Sequence, residues 1–179
     1  LLVLLLFGCQ SSPGVQATPD ESPAKQTATS STPPTAAYPD EGPPLRRCPD
    51  YESQSGEICR LTPVSGGEVR LRVRFPDSTH IDSTEPIPAD LVRFRFLGRL
   101  EDFAACLIPA SRDGWTGQAD TAIKATLVGS RFDHVTMGPA GLPETATACF
   151  RELTRRLRVK RAPGPEARVT QPVVVHVDS

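Results

Sequence analysis

The chain has 179 residues, and its 20 Lys and Arg stand against 21 Asp and Glu for a formal net charge of −1. That balance gives no global address for nucleic acid or for a strongly acidic partner. The length admits one domain of about average size with an appendage, and the near-absence of Lys beside Arg and the complete absence of Asn imply no mechanism.

Leu1 to Leu6 form an apolar run that reaches Phe7, Gly8 and Cys9 and then breaks into Gln10, Ser11, Ser12, Pro13 and Gly14. A membrane-spanning helix needs about 20 apolar residues, so the run reads as the end of a signal peptide over residues 1–8, without its Met and cationic start. Leu6-Phe7-Gly8-Cys9 resembles the bacterial lipobox, with Phe7 where most lipoboxes have a smaller residue. The resemblance implies lipidation of Cys9. Its acyl chains, at about 0.8 kcal/mol per CH₂, hold a protein on a membrane. Gln10, not Asp, after the cysteine resembles outer-membrane sorting, with the domain facing the periplasm or exposed at the surface.

Residues 9–46 are rich in Pro, Ser, Thr and Ala, as in TSSTPPTAAYPDEGPP, with neither helical nor strand periodicity. Such a composition buries too little apolar surface to offset its ordering entropy, and the segment reads as a disordered tether with an r.m.s. span of roughly 35 Å.

Four cysteines remain after Cys9: Cys48, Cys59, Cys106 and Cys149. An even number in an exported chain favours disulfides over thiols or metal ligands. Three connectivities are open. Cys48–Cys59 as a local staple and Cys106–Cys149 as a longer one are preferred, because each pair falls within one segment. Zinc is disfavoured by the lack of C-x-x-C pairs with nearby His, and no cofactor is indicated.

Residues 47–99 read as strand-rich. Glu68 to Phe75 alternates apolar and cationic residues at period two, the mark of a half-buried strand, with Val69, Leu71, Val73 and Phe75 inward. Leu91 to Leu97 repeats the pattern, with Val92, Phe94 and Phe96 inward, and is expected as a neighbouring strand. Arg70, Arg72, Arg74, Arg93 and Arg95 would then gather on one outward sheet face as a cationic patch for lipopolysaccharide phosphates, anionic wall polymers or an acidic partner. Neutralisation by Glu68, Asp102 and their neighbours is the plainer expectation. PDSTHIDSTEPIPAD between the two segments reads as a long loop.

Further on, a short helix is expected over Glu101 to Ile108 and closed by Pro109. Thr121–Val128 and Arg131–Met137 flank Gly129-Ser130 as a hairpin. A helix starts at Pro143, with Ala146, Cys149, Phe150, Leu153 and Leu157 at helical spacing. Val169 to Val177 is a last strand, in which Pro172 suggests a sheet edge or a bulge.

The stretch CLIPASRDGWTGQADTAIKATLVGSRFDHVTMGPAGLPETATACFRELTRRL, with a cysteine on each helix, Gly117 before the first strand, Gly129 between the strands and Leu142 before the second helix, resembles the C-terminal domain of AgmX/PglI type. That family is found in myxobacterial gliding and envelope proteins and is itself similar to the TonB C-terminal fold. For residues 100–179 the resemblance implies a periplasmic α+β module whose sheet edge pairs with a strand of another envelope protein. A lipid on Cys9 in place of a TonB inner-membrane helix removes any proton-driven role. The fold expected is thus α+β, a small and mostly antiparallel sheet with two helices on one face, stapled by disulfides.

Catalysis is not indicated. A nucleophilic enzyme needs Ser or Cys with a His and an orienting acid, and the histidines are His80, His134 and His176, none within a motif. A hydrolase built on Asp133 and His134 is the least favoured reading.

Overall fold

The computed structural model describes residues 45–49, 56–160, 164 and 166–179. The signal segment 1–8, the lipidation of Cys9 and the linker as far as residue 44 lie outside them.

The chain enters through β1 (Arg46–Arg47), β2 (Glu57–Val64) and β3 (Gly67–Arg74). β2 and β3 form a hairpin in which Val64 faces Gly67. Gly66 in the turn has φ of 106°, a region glycine enters without steric cost. The alternation of β3 is realised: Val69, Leu71 and Val73 are buried between outward Arg70, Arg72 and Arg74, and Phe75 is fully buried just past the strand end.

Two expectations fail after β3. The segment expected as loop contains a short strand, β4 (His80–Ser83). Leu91 to Leu97 is not a strand; it belongs to α1 (Ala89–Leu97), with Pro88 at its N-terminal boundary, Asp90 in the first turn and Gly98 at the C-cap. LVRFRFL satisfies both periods, because Val92 and Phe96 are also one helical turn apart. Phe94 decides between them: it is 64% exposed while Phe96 is 0% exposed, whereas strand residues two apart would share a face.

The helix expected over 101–108 divides into α2 (Leu100–Ala105) and α3 (Ile108–Arg112). Pro109 does not close the first helix; it stands in the first turn of the second, where its missing N–H leaves no bond unmade. β5 (Gly117–Val128) and β6 (Arg131–Gly138) form the expected hairpin, with Val128 facing Arg131. α4 (Glu144–Arg156) follows Pro143 and buries Ala146, Phe150 and Leu153. The helical layer is therefore larger than the two helices expected, by α1 and α3.

β7 (Ala167–Asp178) completes one antiparallel 7-stranded sheet in the order β1-β2-β3-β7-β5-β6, with β4 also paired to β7. β5 runs along the whole of one side of β7. On the other side β3 pairs with Val174–Asp178 and β4 with Ala167–Thr170. Pro172 is thus neither at a sheet edge nor at a bulge; it lies in a central strand, at the interval between β3 and β4. Its carbonyl accepts from the Gln171 side chain, which faces that interval. A strand residue's N and O point to the same side, so the N–H that proline lacks would have met no ladder partner there.

Buried positions on β2, β3, β5, β6 and β7 share one face and join Val92, Phe96, Phe103, Leu107, Phe150 and Leu153 of the helical layer in one core. Phe75, Phe96, Phe103, Phe132 and Phe150 form a chain of ring contacts with centroids 5.0 to 6.1 Å apart, each ring contributing about 1.5–3 kcal/mol by burial. Residues 47–99 and 100–179 do not separate, since β3 and β4 pair with β7 and share its core. Disulfides close Cys48 with Cys59 and Cys106 with Cys149, at Cα separations of 5.7 and 5.6 Å, in the preferred connectivity. Among the described residues, no helix is long and apolar enough to cross a membrane.

Candidate functional site

The helices cover one face of the sheet, and the residues that alternate with the core make up the other. Register places them in rows. Leu61, Arg70 and Asp178 form one row, Cys59, Arg72, His176 and Gln118 the next, and Glu57, Arg74, Val174 and Asp120 a third. Pro172 with Ala122, then His80 with Thr170 and Lys124, continue the face along β7. Val174, Pro172, Ala122, Thr170 and Leu61 are half-buried, and Arg74, Asp120 and Lys124 are exposed.

The five arginines expected as one patch are divided by this arrangement. Arg70, Arg72 and Arg74 project from β3 on the open face, whereas Arg93 and Arg95 belong to α1 in the helical layer. Arg93 is buried, donates to the Phe75 carbonyl at 3.3 Å and pairs with Asp77. It ties α1 to the end of β3 and offers nothing to a ligand. On β3, Arg72 pairs with Asp178 at 2.8 Å, Arg70 has Asp178 opposite in register, and Arg74 has Glu57 opposite. Glu68 pairs with Arg46, and Asp102 with Arg99. The open face carries both signs, which weakens the case for an anionic polymer as its ligand.

Within the second row, Arg72 Nη2 contacts both His176 Nδ1 and Asp178, and His176 Nε2 lies 2.8 Å from Asp178 Oδ1. A guanidinium only donates, so His176 Nδ1 accepts and its Nε2–H points at the carboxylate. This closed cluster lies directly across the ladder from Cys59, which is 1% exposed. The sequence offered a period-two signal for Arg72 alone; that His176 and Asp178 join it follows from the β3–β7 register.

A second polar cluster was not foreseen. Arg60, on the core side of β2, donates through Nε to Glu101 of α2 at 2.7 Å, through Nη2 to the same carboxylate, and through Nη1 to the Cys59 carbonyl at 2.8 Å. Burial, and after it the charge of Arg47, lower the Arg60 pKa from the usual arginine value; the bidentate carboxylate holds it charged. Beside it is a cavity of about 410 Å³ lined by Arg47, Cys48, Glu57, Ile58, Leu97 and Leu100 among others. All polar groups of Arg60 that reach it are already bonded within the fold. The only sequence signal was an arginine at a strand position in line with Ile58 and Thr62.

The histidines are not brought together. His80 lies on β4 opposite Thr170, His176 on β7, and His134 on the β5–β6 hairpin. Asp133 and His134 are explained by the backbone: His134 has φ of 46°, its N–H donates to Asp133 Oδ1 at 2.8 Å, and the register shifts there. That is a β-bulge, in which His134 and Val135 together face Ala125. Among the described residues, no three His, Cys, Asp or Glu side chains are grouped to hold a metal ion. The chain matches no protein-family model, no curated protein and no solved structure.

Proposed function

We propose that this chain is an exported lipoprotein, anchored through Cys9, whose α+β domain acts by binding another protein of the cell envelope. The observation that carries the reading is the pair of disulfides. Cys48–Cys59 and Cys106–Cys149 use every cysteine after Cys9, and such bonds persist in an oxidising compartment outside the cytosol. The segment LLVLLLFGC supplies the export route and the anchor. The order α2, α3, β5, β6, α4, β7 follows the sequence of elements that the likeness to the TonB C-terminal fold implies, with α3 as an additional short helix.

The contact surface assigned is the outer edge of β6, whose only strand partner among the described residues is β5. Every second residue from Val135 to Gly138 turns its backbone N–H and C=O away from β5, as an added strand requires. The bulge at His134 and the bridge between Arg131 and Arg158 restrict pairing to the far half of the strand, which guards it against indiscriminate aggregation.

The test combines two measurements on the full chain in its native envelope. Metabolic labelling with a palmitate analogue is expected to mark the wild type and to vanish in Cys9→Ala, which should also leave the membrane fraction. A photo-crosslinking residue at Thr136 is expected to capture one protein reproducibly, and the same residue at Glu152 on α4 is not. Retention of Cys9→Ala in the outer membrane refutes the anchor, and equal capture from both positions refutes the edge.

A further inference from the structure

We infer that the open face of the sheet is a homodimer interface, on which a second copy of this chain packs face to face about a two-fold axis inclined about 15° to β7, half the crossing angle of aligned sheets. The inference rests on the register of the sheet and stands independently of the envelope partner and of the β6 edge.

A two-fold axis close to β7 lays β3 of one copy over β5 of the other, and the reverse, because β3 and β5 flank β7 on its two sides over Val174–Val177. In a closed two-fold dimer each contact occurs twice. The row Glu57, Arg74, Val174, Asp120 then becomes complementary to itself. Val174 meets its own counterpart, Arg74 falls over the second copy's Asp120, and Asp120 falls over the second copy's Arg74. Both side chains are exposed, and Val174 and Pro172 between them are half-buried, giving an apolar centre with a charged rim, as at specific interfaces. In the next row Arg72 falls over Gln118, a donor over an amide acceptor.

Aligned sheets cross at about 30° and stand about 10 Å apart. The ends of β7, where Asp178 and Arg168 would face their own counterparts, therefore splay apart, while the centre of the strand stays in register. At about 4.8 Å per strand and 3.3 Å per residue, the five strands from β2 to β6 present roughly 800 Å², the area each partner contributes to a standard interface. A single-sign face would repel its copy; here Arg74 on β3 and Asp120 on β5 stand on opposite sides of β7, so that pair is complementary to its own copy.

The experiment uses the full chain with Cys9→Ser, so that no lipid drives association, and sedimentation equilibrium as the readout. The wild-type sequence is expected to dimerise below about 100 μM. Arg74→Glu and Asp120→Arg each place two like-charged pairs across the dimer and are expected to weaken it at least about tenfold. Mixing the two variants restores both pairs in the heterodimer, which should form about as tightly as the wild type. Equal unfolding midpoints for all three proteins show that the fold is intact. A monomeric wild type, dimers indifferent to either reversal, or a mixture no tighter than its components each overturn the inference. So does a photo-crosslinking residue at Val174 that captures only a different protein in cells.

Discussion

Thr79 donates its hydroxyl hydrogen to the side-chain carbonyl of Gln171, and the Gln171 amide donates to the Pro76 carbonyl at 3.3 Å and to the Pro172 carbonyl at 3.0 Å. One fully buried side chain thereby satisfies the backbone where the chain leaves β3, has not yet entered β4, and passes a proline in β7. A glutamine suits this interval because its amide both donates and accepts.

Gln171→Leu keeps the volume and removes every one of those bonds. It is expected to cost about 1–3 kcal/mol, because it strands buried carbonyls, and Thr79→Val about 1 kcal/mol. Urea denaturation measures both. The double variant should lose less than the sum, since the two side chains are partners.

Phe94 and Phe96 test the helix directly. Phe96→Ala is expected to cost about 3–5 kcal/mol, and Phe94→Ser no more than about 0.5 kcal/mol. A strand at this place would make the two losses similar, so unfolding midpoints alone discriminate.

How far the fold was legible depended on whether one periodicity stood alone. β3 could be read because its alternation runs unbroken from Glu68 to Phe75, whereas LVRFRFL begins and ends on apolar pairs, Leu91-Val92 and Phe96-Leu97, that break the alternation. α1 could not, because LVRFRFL fits two periods; the deciding marks, Pro88 and Gly98, stand just outside the run. β4 is short and polar, with His80 and Asp82 exposed, and it is a strand only because β7 offers it half an edge. Pro172 misled for the same reason: proline signals a missing ladder partner, and that absence lies inside the sheet. The disulfide pairs were accessible from cysteine spacing and segment order. The Arg72, His176 and Asp178 cluster required a register that no local pattern carries.

The Arg60–Glu101 pair is asymmetric, with side chains 11% and 57% exposed respectively. Removing the acid leaves a buried cation with only the Cys59 carbonyl, so Glu101→Ala is expected to cost about 1–3 kcal/mol. Arg60→Met fills the space and leaves a carboxylate that water can reach, at about 0–1 kcal/mol. Chemical denaturation of the two variants checks the order of the losses. The reverse order would mean that the aliphatic stem of Arg60, not its charge, is what the site needs.

The two disulfides close loops with sequence separations of 11 and 43 residues, which chain entropy values at about 3 and about 4 kcal/mol. Cys106→Ser with Cys149→Ser should lower the denaturation midpoint more than Cys48→Ser with Cys59→Ser. Adding a reductant to the wild type should approach the combined loss.

β7 follows every other described element in the sequence, yet it alone joins the β2–β3 hairpin, β4 and the β5–β6 hairpin. Until residues 167–178 emerge, β4 has no described strand partner, β5–β6 stands as a lone hairpin and β1, β2 and β3 form a separate three-stranded piece whose β1 has two residues. An isolated two-stranded hairpin is marginal in water. The sheet therefore closes late, after its seam has been delivered. Under the export proposed above, that delay keeps the chain pliable in transit, and truncation before Ala167 removes the strand that joins the two halves of the sheet.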